Sequence, residues 1–332
     1  MKLAIITLTA PGEELAQIIK NKLADDPTVI VVDLYHKRVK NTLNNIFMEY
    51  ECILGIMATG IMVRSICHLI GDKTKDPAVV VMDEKSNHVI SLLSGHLGGG
   101  NDYAHKFARL TGADPVITTA SDVNGKIGVD SLARKYYLEI TQPANILEIN
   151  QAVIEGKKVK LTVPSNYEFL GDDERVKESY QVTTSKNDIT ACYDDYEVNL
   201  SPRKLVFGVG TRKGVSFSSV LGAISAACFT LNIPVKRIDC LSTAEPKKEE
   251  AGILKAADYL KVPLEIVGLS ELKSFKHPDI TESSFVKKTF GVPGVCEPAA
   301  LYVAGEYSCL IFKKTVFNNV TVAVAVSCCL TK

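Results

Sequence analysis

Short apolar runs rich in β-branched residues alternate with stretches of helical period from the start of the chain: Leu3–Thr7, then Glu13–Leu23, then Val29–Leu34. The pattern goes on to predict a strand at Cys52–Met57, a helix from about Ile61 to Ile70, strands at Ala78–Met82 and His88–Leu93, and a helix from about Asn101 to Leu110. Strands buried on both faces read as near-continuous hydrophobic runs and need helical crossovers between them, so residues 1–140 read as a layered α/β domain. Between Thr141 and Arg203 the pattern weakens, and the run Gly171-Asp-Asp-Glu-Arg-Val-Lys-Glu carries no core-forming stripe. Residues 141–204 therefore read as a variable connector or a small, poorly packed insert. A second pattern starts at Leu205–Val209, with a helix Ser216–Leu231, a strand Val235–Cys240, a helix from about Lys248 to Leu260, and strands Ser308–Phe312 and Val320–Ser327. The expected fold is two layered α/β/α lobes, 1–140 and 205–332, with mainly parallel sheets joined by a short middle segment.

Composition narrows the partners. The 332 residues balance 38 Lys+Arg against 38 Asp+Glu at 46% hydrophobic content, enough for sizeable cores and with no net charge to draw the chain to nucleic acid. No apolar run approaches the roughly 18 residues that span a bilayer, and Leu3 to Leu8 reads as a first strand rather than a leader. The nine cysteines are odd in number, with no C-x-x-C pair, which argues against a disulfide framework or a structural zinc site. A reducing cytoplasm is the expected setting.

Three times a buried strand runs through a glycine-bearing turn into a helix: Ala58-Thr59-Gly60, Ser94-Gly95-His96-Leu97-Gly98-Gly99-Gly100-Asn101, and Gly208-Val209-Gly210-Thr211-Arg212-Lys213-Gly214. Such turns bring bare amide donors to a helix start, where an anion is favoured, although any one of them can simply be a tight turn. The second turn is the most informative, because His96 sits among glycines instead of bulky apolar neighbours and can exchange a proton near neutrality. His105, inside the following helix, reads as packing or surface. After the apolar pair Val116-Ile117, Thr118, Thr119, Ser121 and Asp122 supply hydroxyls and a carboxylate; Asp122 or Asp130 could orient a histidine, and the hydroxyls could equally cap a helix. GVGTRKG fails both the Walker and the dinucleotide patterns, so Asp239 keeps a nucleotide reading alive only as an alternative, while Arg212 and Lys213 suit carboxylates as well as phosphates. In Gly291-Val-Pro-Gly-Val-Cys-Glu-Pro, Cys296 reads as a buried thiol, and Glu297 as either a helix-start carboxylate or a base facing a cleft.

Taken in order, GIMATGIMVRSI, VISLLSGHLGGGND, DPVITTASDV, FGVGTRKG and GVPGVCEPAAL resemble the CbiG family, the cobalt-precorrin-5A hydrolases of anaerobic cobalamin biosynthesis. The resemblance covers Cys52 to Asp130 and Lys204 to the end. Gly100 stands where the family more often has alanine, Thr211 where it often has cysteine and Cys296 where it often has serine, which makes the last two poor candidates for covalent chemistry. The resemblance implies hydrolytic opening of a δ-lactone on a cobalt-bearing tetrapyrrole and release of acetaldehyde, giving cobalt-precorrin-5B. It implies no separate cofactor and no protein-held metal, since cobalt arrives inside the substrate. In that reading His96 is the general base, Asp122 orients it, Glu297 is a further catalytic group, and the amides of Gly95–Gly100 stabilise the oxyanion. Thr59, Gly60, Arg64, Ser94, Gly95, Gly98, Gly99, Asn101, Thr118, Thr119, Gly208, Gly210, Arg212 and Lys213 would bind the substrate's carboxylates in a cleft on which the three turns converge. The alternatives are a nucleotide-binding enzyme and a non-catalytic tetrapyrrole carrier; a second copy of the chain and other corrin-pathway enzymes remain open as partners.

Overall fold

The computed structural model describes residues 1–186 and 188–328, so Cys329 of the terminal cysteine pair lies outside the described residues. The first sheet comprises β1 (Lys2–Thr7), β2 (Val31–His36), β3 (Cys52–Ile56), β4 (Ala78–Met82), β5 (His88–Leu93) and β6 (Asp114–Val116), in the order β2-β1-β3-β4-β5-β6. Its centre is buried on both faces, as the apolar runs require. Leu3 and Ile5 pack with Ile19 and Phe107 on one side, and Ala4 and Ile6 pack with Leu43 and Met62 on the other. Strands β1 to β4 are mutually parallel, but β5 returns antiparallel to β4, and β6 runs parallel to β5.

The middle of the chain is not a connector. Strands β7 (Leu138–Ile140), β8 (Val159–Pro164), β9 (Tyr180–Ser185), β10 (Ile189–Tyr193) and β11 (Tyr196–Pro202) form a second sheet in the order β7-β11-β10-β8-β9, over a core that begins at Ile127 and ends at Leu200. Its strands bury alternate residues only, as in Val159, Leu161 and Val163, so they carry half the apolar signal of a strand covered on both faces. The charged run supplies a short helix, Glu174–Ser179, seated through two inward residues, Val176 and Ser179.

The third sheet holds β12 (Leu205–Thr211), β13 (Cys240–Ala244), β14 (Leu264–Val267), β15 (Cys309–Phe317) and β16 (Val320–Val326), ordered β14-β13-β12-β16-β15, with β12 to β14 parallel and β16 antiparallel to β12. All three sheets are thus mixed, which corrects the expectation of mainly parallel ones. The strand expected at Val235–Cys240 is a 3₁₀ turn over Val235–Arg237, and the strand starts only at Cys240. The reason lies in Arg237, whose side chain is fully buried at the seam between the second and third sheets. Its guanidinium donates to the carbonyls of Tyr136 (2.6 Å), Tyr137 (3.1 Å) and Arg203 (2.6 Å), and pairs with Asp239 at 2.6 Å. Asp239 in turn accepts from the Leu205 amide at 2.8 Å. One cation therefore pins both chain crossings, at 136–137 and 203–205. Among the described residues no helix is long and apolar enough to cross a membrane.

Removing the Arg237 fork leaves a carboxylate and three carbonyls short of a donor, so Arg237→Ala is expected to cost about 3–5 kcal/mol in urea unfolding. A loss below about 1 kcal/mol would show that the seam is held by other contacts.

Candidate active site

Because β5 and β6 are parallel neighbours, the segments that leave their carboxyl ends emerge side by side. One is the glycine loop 94–101; the other carries Thr119, Ser121 and Asp122. The loop closes on itself: Gly99 donates to the His96 carbonyl (2.9 Å), Gly100 to that of Ser94 (3.0 Å) and Asn101 to that of Gly95 (3.1 Å). Those amides are spent, which corrects the expectation that the Gly95–Gly100 backbone as a whole would face an oxyanion. Gly99 is required for two reasons, its φ of +83° and the Arg134 guanidinium lying where a Cβ would project.

The His96 ring bridges two carboxylates. Nε2 donates to Asp122 Oδ2 at 3.1 Å and Nδ1 to Asp130 Oδ2 at 3.1 Å, with Ser121 Oγ 3.0 Å from Nε2. Asp122 Oδ2 also accepts from Thr119 Oγ1 (2.8 Å) and Asn101 Nδ2 (2.9 Å), while its Oδ1 accepts from Arg175 at 3.2 Å. Asp130 Oδ1 accepts from Asn150 Nδ2 (3.0 Å) and the Ser131 amide (2.9 Å). Burial disfavours the imidazolium, yet the hydrogen bonds and charges of Asp122 and Asp130 outweigh it and push the His96 pKa up to about 9. Burial also opposes ionisation of both carboxylates, but the His96 bonds prevail and hold each below the usual range. At neutral pH the ring therefore carries two protons and has no free lone pair. The Asp122 side is the more open, with 26% of that side chain exposed against 9% for Asp130.

Two members of this cluster, Asn150 and Arg175, come from the segment expected to be a variable connector, whereas Asp130 is the alternative already named beside Asp122. Asp130 lies on the helix Val129–Lys135, Asn150 on Ile146–Ile154, and Arg175 in the charged run itself. Arg134, Ser121, Asn150 and Arg175 were absent from the expected site. The one hint was the spacing of Asp130 and Arg134, four apart and so on one helical face.

The other expected residues lie elsewhere. Ile56 at the end of β3 pairs with Met82 at the end of β4, whereas Leu93 at the end of β5 pairs with Val79 near its beginning. Thr59, Gly60 and Arg64 thus sit at the opposite edge of the sheet from His96, a strand length or about 15 Å away. Of the three, Thr59 borders a separate open cavity of about 460 Å³ lined also by Met57, Asp83, His88 and Ile90. Within the loop, Gly98 fits closely over Ser94, whose buried Oγ has no partner in the structure, and Thr118 is exposed beside Thr119.

The second-lobe turn has internal uses. The Cys296 carbonyl lies against Gly208 so closely that no Cβ fits, Gly210 faces Thr321 Oγ1, and the Gly214 amide donates to Glu250 at 3.0 Å. The chain's own carboxylate thus occupies the anion position of that turn, and Asp239 is held by Arg237, so the nucleotide reading loses both its supports. Arg212 and Lys213 are exposed. Glu297 does not face a cleft: it is 1% exposed and accepts from the amides of Thr281 and Lys314, each at 2.8 Å. Burial pushes the Cys296 thiol up to about 12, where it is inert. None of these residues shares a hydrogen bond or ion pair with the His96 cluster, and among the described residues no group of three or more His, Cys, Asp and Glu is placed to hold a metal ion.

Residues 41–122 match the family model described as cobalamin synthesis G N-terminal, and residues 205–325 the model described as cobalamin synthesis G C-terminus. A probable cobalt-precorrin-5A hydrolase of Methanocaldococcus jannaschii is 35% identical over 98% of this chain and 99% of its own. A cobalt-precorrin-5A hydrolase of Salmonella typhimurium is 32% identical, covering 78% of each chain. A cobalamin biosynthesis protein G homolog from Sulfolobus solfataricus, known from a crystal structure, aligns with a TM-score of 0.60 at 28% identity over 98% of this chain and 97% of that one.

The bridge predicts a pH window. The His96 pKa is raised from 6.5 in the unfolded chain to about 9, so its contribution is complete below pH 6.5 and is lost as pH rises to about 9. The two aspartates, with lowered values, contribute above their unfolded 3.8 and lose that as the medium acidifies. Denaturant unfolding of the parent chain should lose about 3 kcal/mol between pH 6.5 and 9, and His96→Gln should remove that slope. Parallel curves for the two proteins would refute the bridge.

Proposed function

The chain belongs to the cobalamin synthesis G family and acts as a hydrolase on cobalt-precorrin-5A in cobalamin biosynthesis; from that premise we propose that His96 moves the proton in both steps of the reaction. The supporting observation is the doubly hydrogen-bonded imidazolium at the shared mouth of β5 and β6. In the first step water adds to the lactone carbonyl and the ring C–O bond breaks. His96 gives its proton to the departing oxygen, which would otherwise leave as an alkoxide. The ring is then neutral between two carboxylates and is a strong base for an imidazole. It takes the same proton back from the new hydroxyl, the adjacent carbon–carbon bond breaks with its electron pair left on the macrocycle, and acetaldehyde departs. The macrocycle takes a proton from solvent. One imidazole thus serves as acid and then as base.

Asp122 and Asp130 act on His96 rather than on the substrate in this reading. Asp122, with four donors on its oxygens, holds the edge of the ring nearer solvent. Asp130 fixes Nδ1, so the proton in play is the one on Nε2. Ser121 Oγ offers Nε2 a neutral partner once the proton has left.

His96→Gln keeps a polar group in the loop and removes the proton, so acetaldehyde release from cobalt-precorrin-5A is expected to fall by roughly 10²–10⁴-fold in kcat. Substrate binding, followed by absorbance titration, should change little. Turnover within threefold of the parent, on the order of 1 kcal/mol or less, would reassign the proton transfer to another group.

A further inference from the structure

The helix Val129–Lys135 reaches the glycine loop twice. Asp130 takes the His96 ring, and Arg134, one turn later on the same face, donates from Nη1 to the Leu97 carbonyl at 3.0 Å. The rest of the guanidinium lies against Gly99, in the space any Cβ there would fill, and its Cζ is 5.2 Å from the centroid of the Tyr103 ring. Its one ion-pair partner among the described residues is Asp102, 3.4 Å from Nε and 75% exposed, a pair of little strength in water. A planar cation is thus fixed by a carbonyl, a bare Cα and an aromatic ring, and the carboxylate paired with it reaches it through Nε from a position largely in solvent. About a quarter of its side chain, 28%, is open to solvent.

This arrangement has the form of a carboxylate receptor. Guanidinium forks match planar oxyanions, and the donors here are held in place before a ligand arrives. Hydrolysis of an ester also creates a carboxylate from a neutral carbonyl, and three of the loop's amides are already spent on its own carbonyls. We propose that Arg134 stabilises the oxyanion formed when water adds to the lactone and then binds the carboxylate arm that lactone opening releases. The proposal rests on the hydrolase reading given above. In that step the carbonyl oxygen gains its negative charge facing the guanidinium, the C–O bond breaks, and His96 protonates the departing oxygen. Both protons of the water pass to solvent, one being returned later to the macrocycle. Asp130 and Arg134 then divide the labour of one helical turn, holding the acid and receiving the anion.

The test compares the parent chain with Arg134→Gln and Arg134→Lys, all with His96 intact. Arg134→Gln should lower kcat for acetaldehyde release by about 10²–10³-fold and weaken cobalt-precorrin-5A binding in an absorbance titration. Arg134→Lys, which keeps the charge without the fork, should recover part of both. Millimolar guanidinium should restore measurable turnover to Arg134→Gln, a response that a purely structural arginine would not give. Parent-like kcat and affinity in Arg134→Gln would overturn the proposal, and so would a loss that guanidinium leaves unrepaired, whatever the unfolding midpoint. A parent chain that binds the substrate and releases no acetaldehyde would sink the hydrolase reading instead, and Arg134 would then be judged on affinity alone.

Discussion

A protonated imidazole between two carboxylates is the interaction on which the rest of the site depends. The cation offsets the cost of burying two carboxylates side by side, and both carboxylates keep the ring protonated against its own burial. The bridge also joins parts of the molecule with separate cores. His96 and Asp122 leave the first sheet on adjacent strands, whereas Asp130 belongs to a helix packed into the second core. The charge state of the ring and the docking of the second unit onto the glycine loop are therefore one equilibrium. In the proposed reaction, proton transfer to the substrate would draw on the same interactions that hold the units together.

The antiparallel return of β5 decides where this happens. Had β5 run parallel to β4, its loop would have emerged beside the Thr59 turn, and the glycine turns of the first sheet would have shared one edge, as open parallel sheets usually arrange. Reversing a single strand moves the loop to the other edge, next to β6 and to the second unit. The glycines change meaning accordingly. Gly99 makes room for a guanidinium and Gly208 for a helix carbonyl, so both serve close packing of protein on protein. At the third turn Glu250 supplies the anion that the sequence invites.

Arg237 plays the corresponding part at the seam between the second and third sheets. Its fork takes three carbonyls from the two chain crossings and one carboxylate, satisfying backbone groups that leave their strands and would otherwise be buried without donors. The two arginines differ in a way that matters for function. Arg237 is enclosed and paired at 2.6 Å, while Arg134 is held by packing and paired with Asp102, a carboxylate largely in solvent.

Local patterning by itself determined the parts of this protein that local physics controls. Runs such as Leu3–Thr7, Ala78–Met82 and Val320–Val326 are apolar at nearly every position because helices or neighbouring strands cover them, and they stand as strands in the structure. The glycine-flanked histidine was legible as a functional candidate, and so was the family, since its motifs are contiguous. Tertiary structure alone decided the remainder. The second sheet was invisible because strands with one wet face show half the apolar signal, and Arg237 was read into a strand because burial of a guanidinium depends on carbonyls 34 and 100 residues away. Arg134 and Arg175 reach the site from charged stretches and Asn150 from an apolar helix, and Asp130, a candidate beside Asp122, is joined to the ring only by the fold. What makes them parts of it is the distance between atoms that the chain brings together only on folding, and a one-dimensional pattern of polarity does not carry that distance.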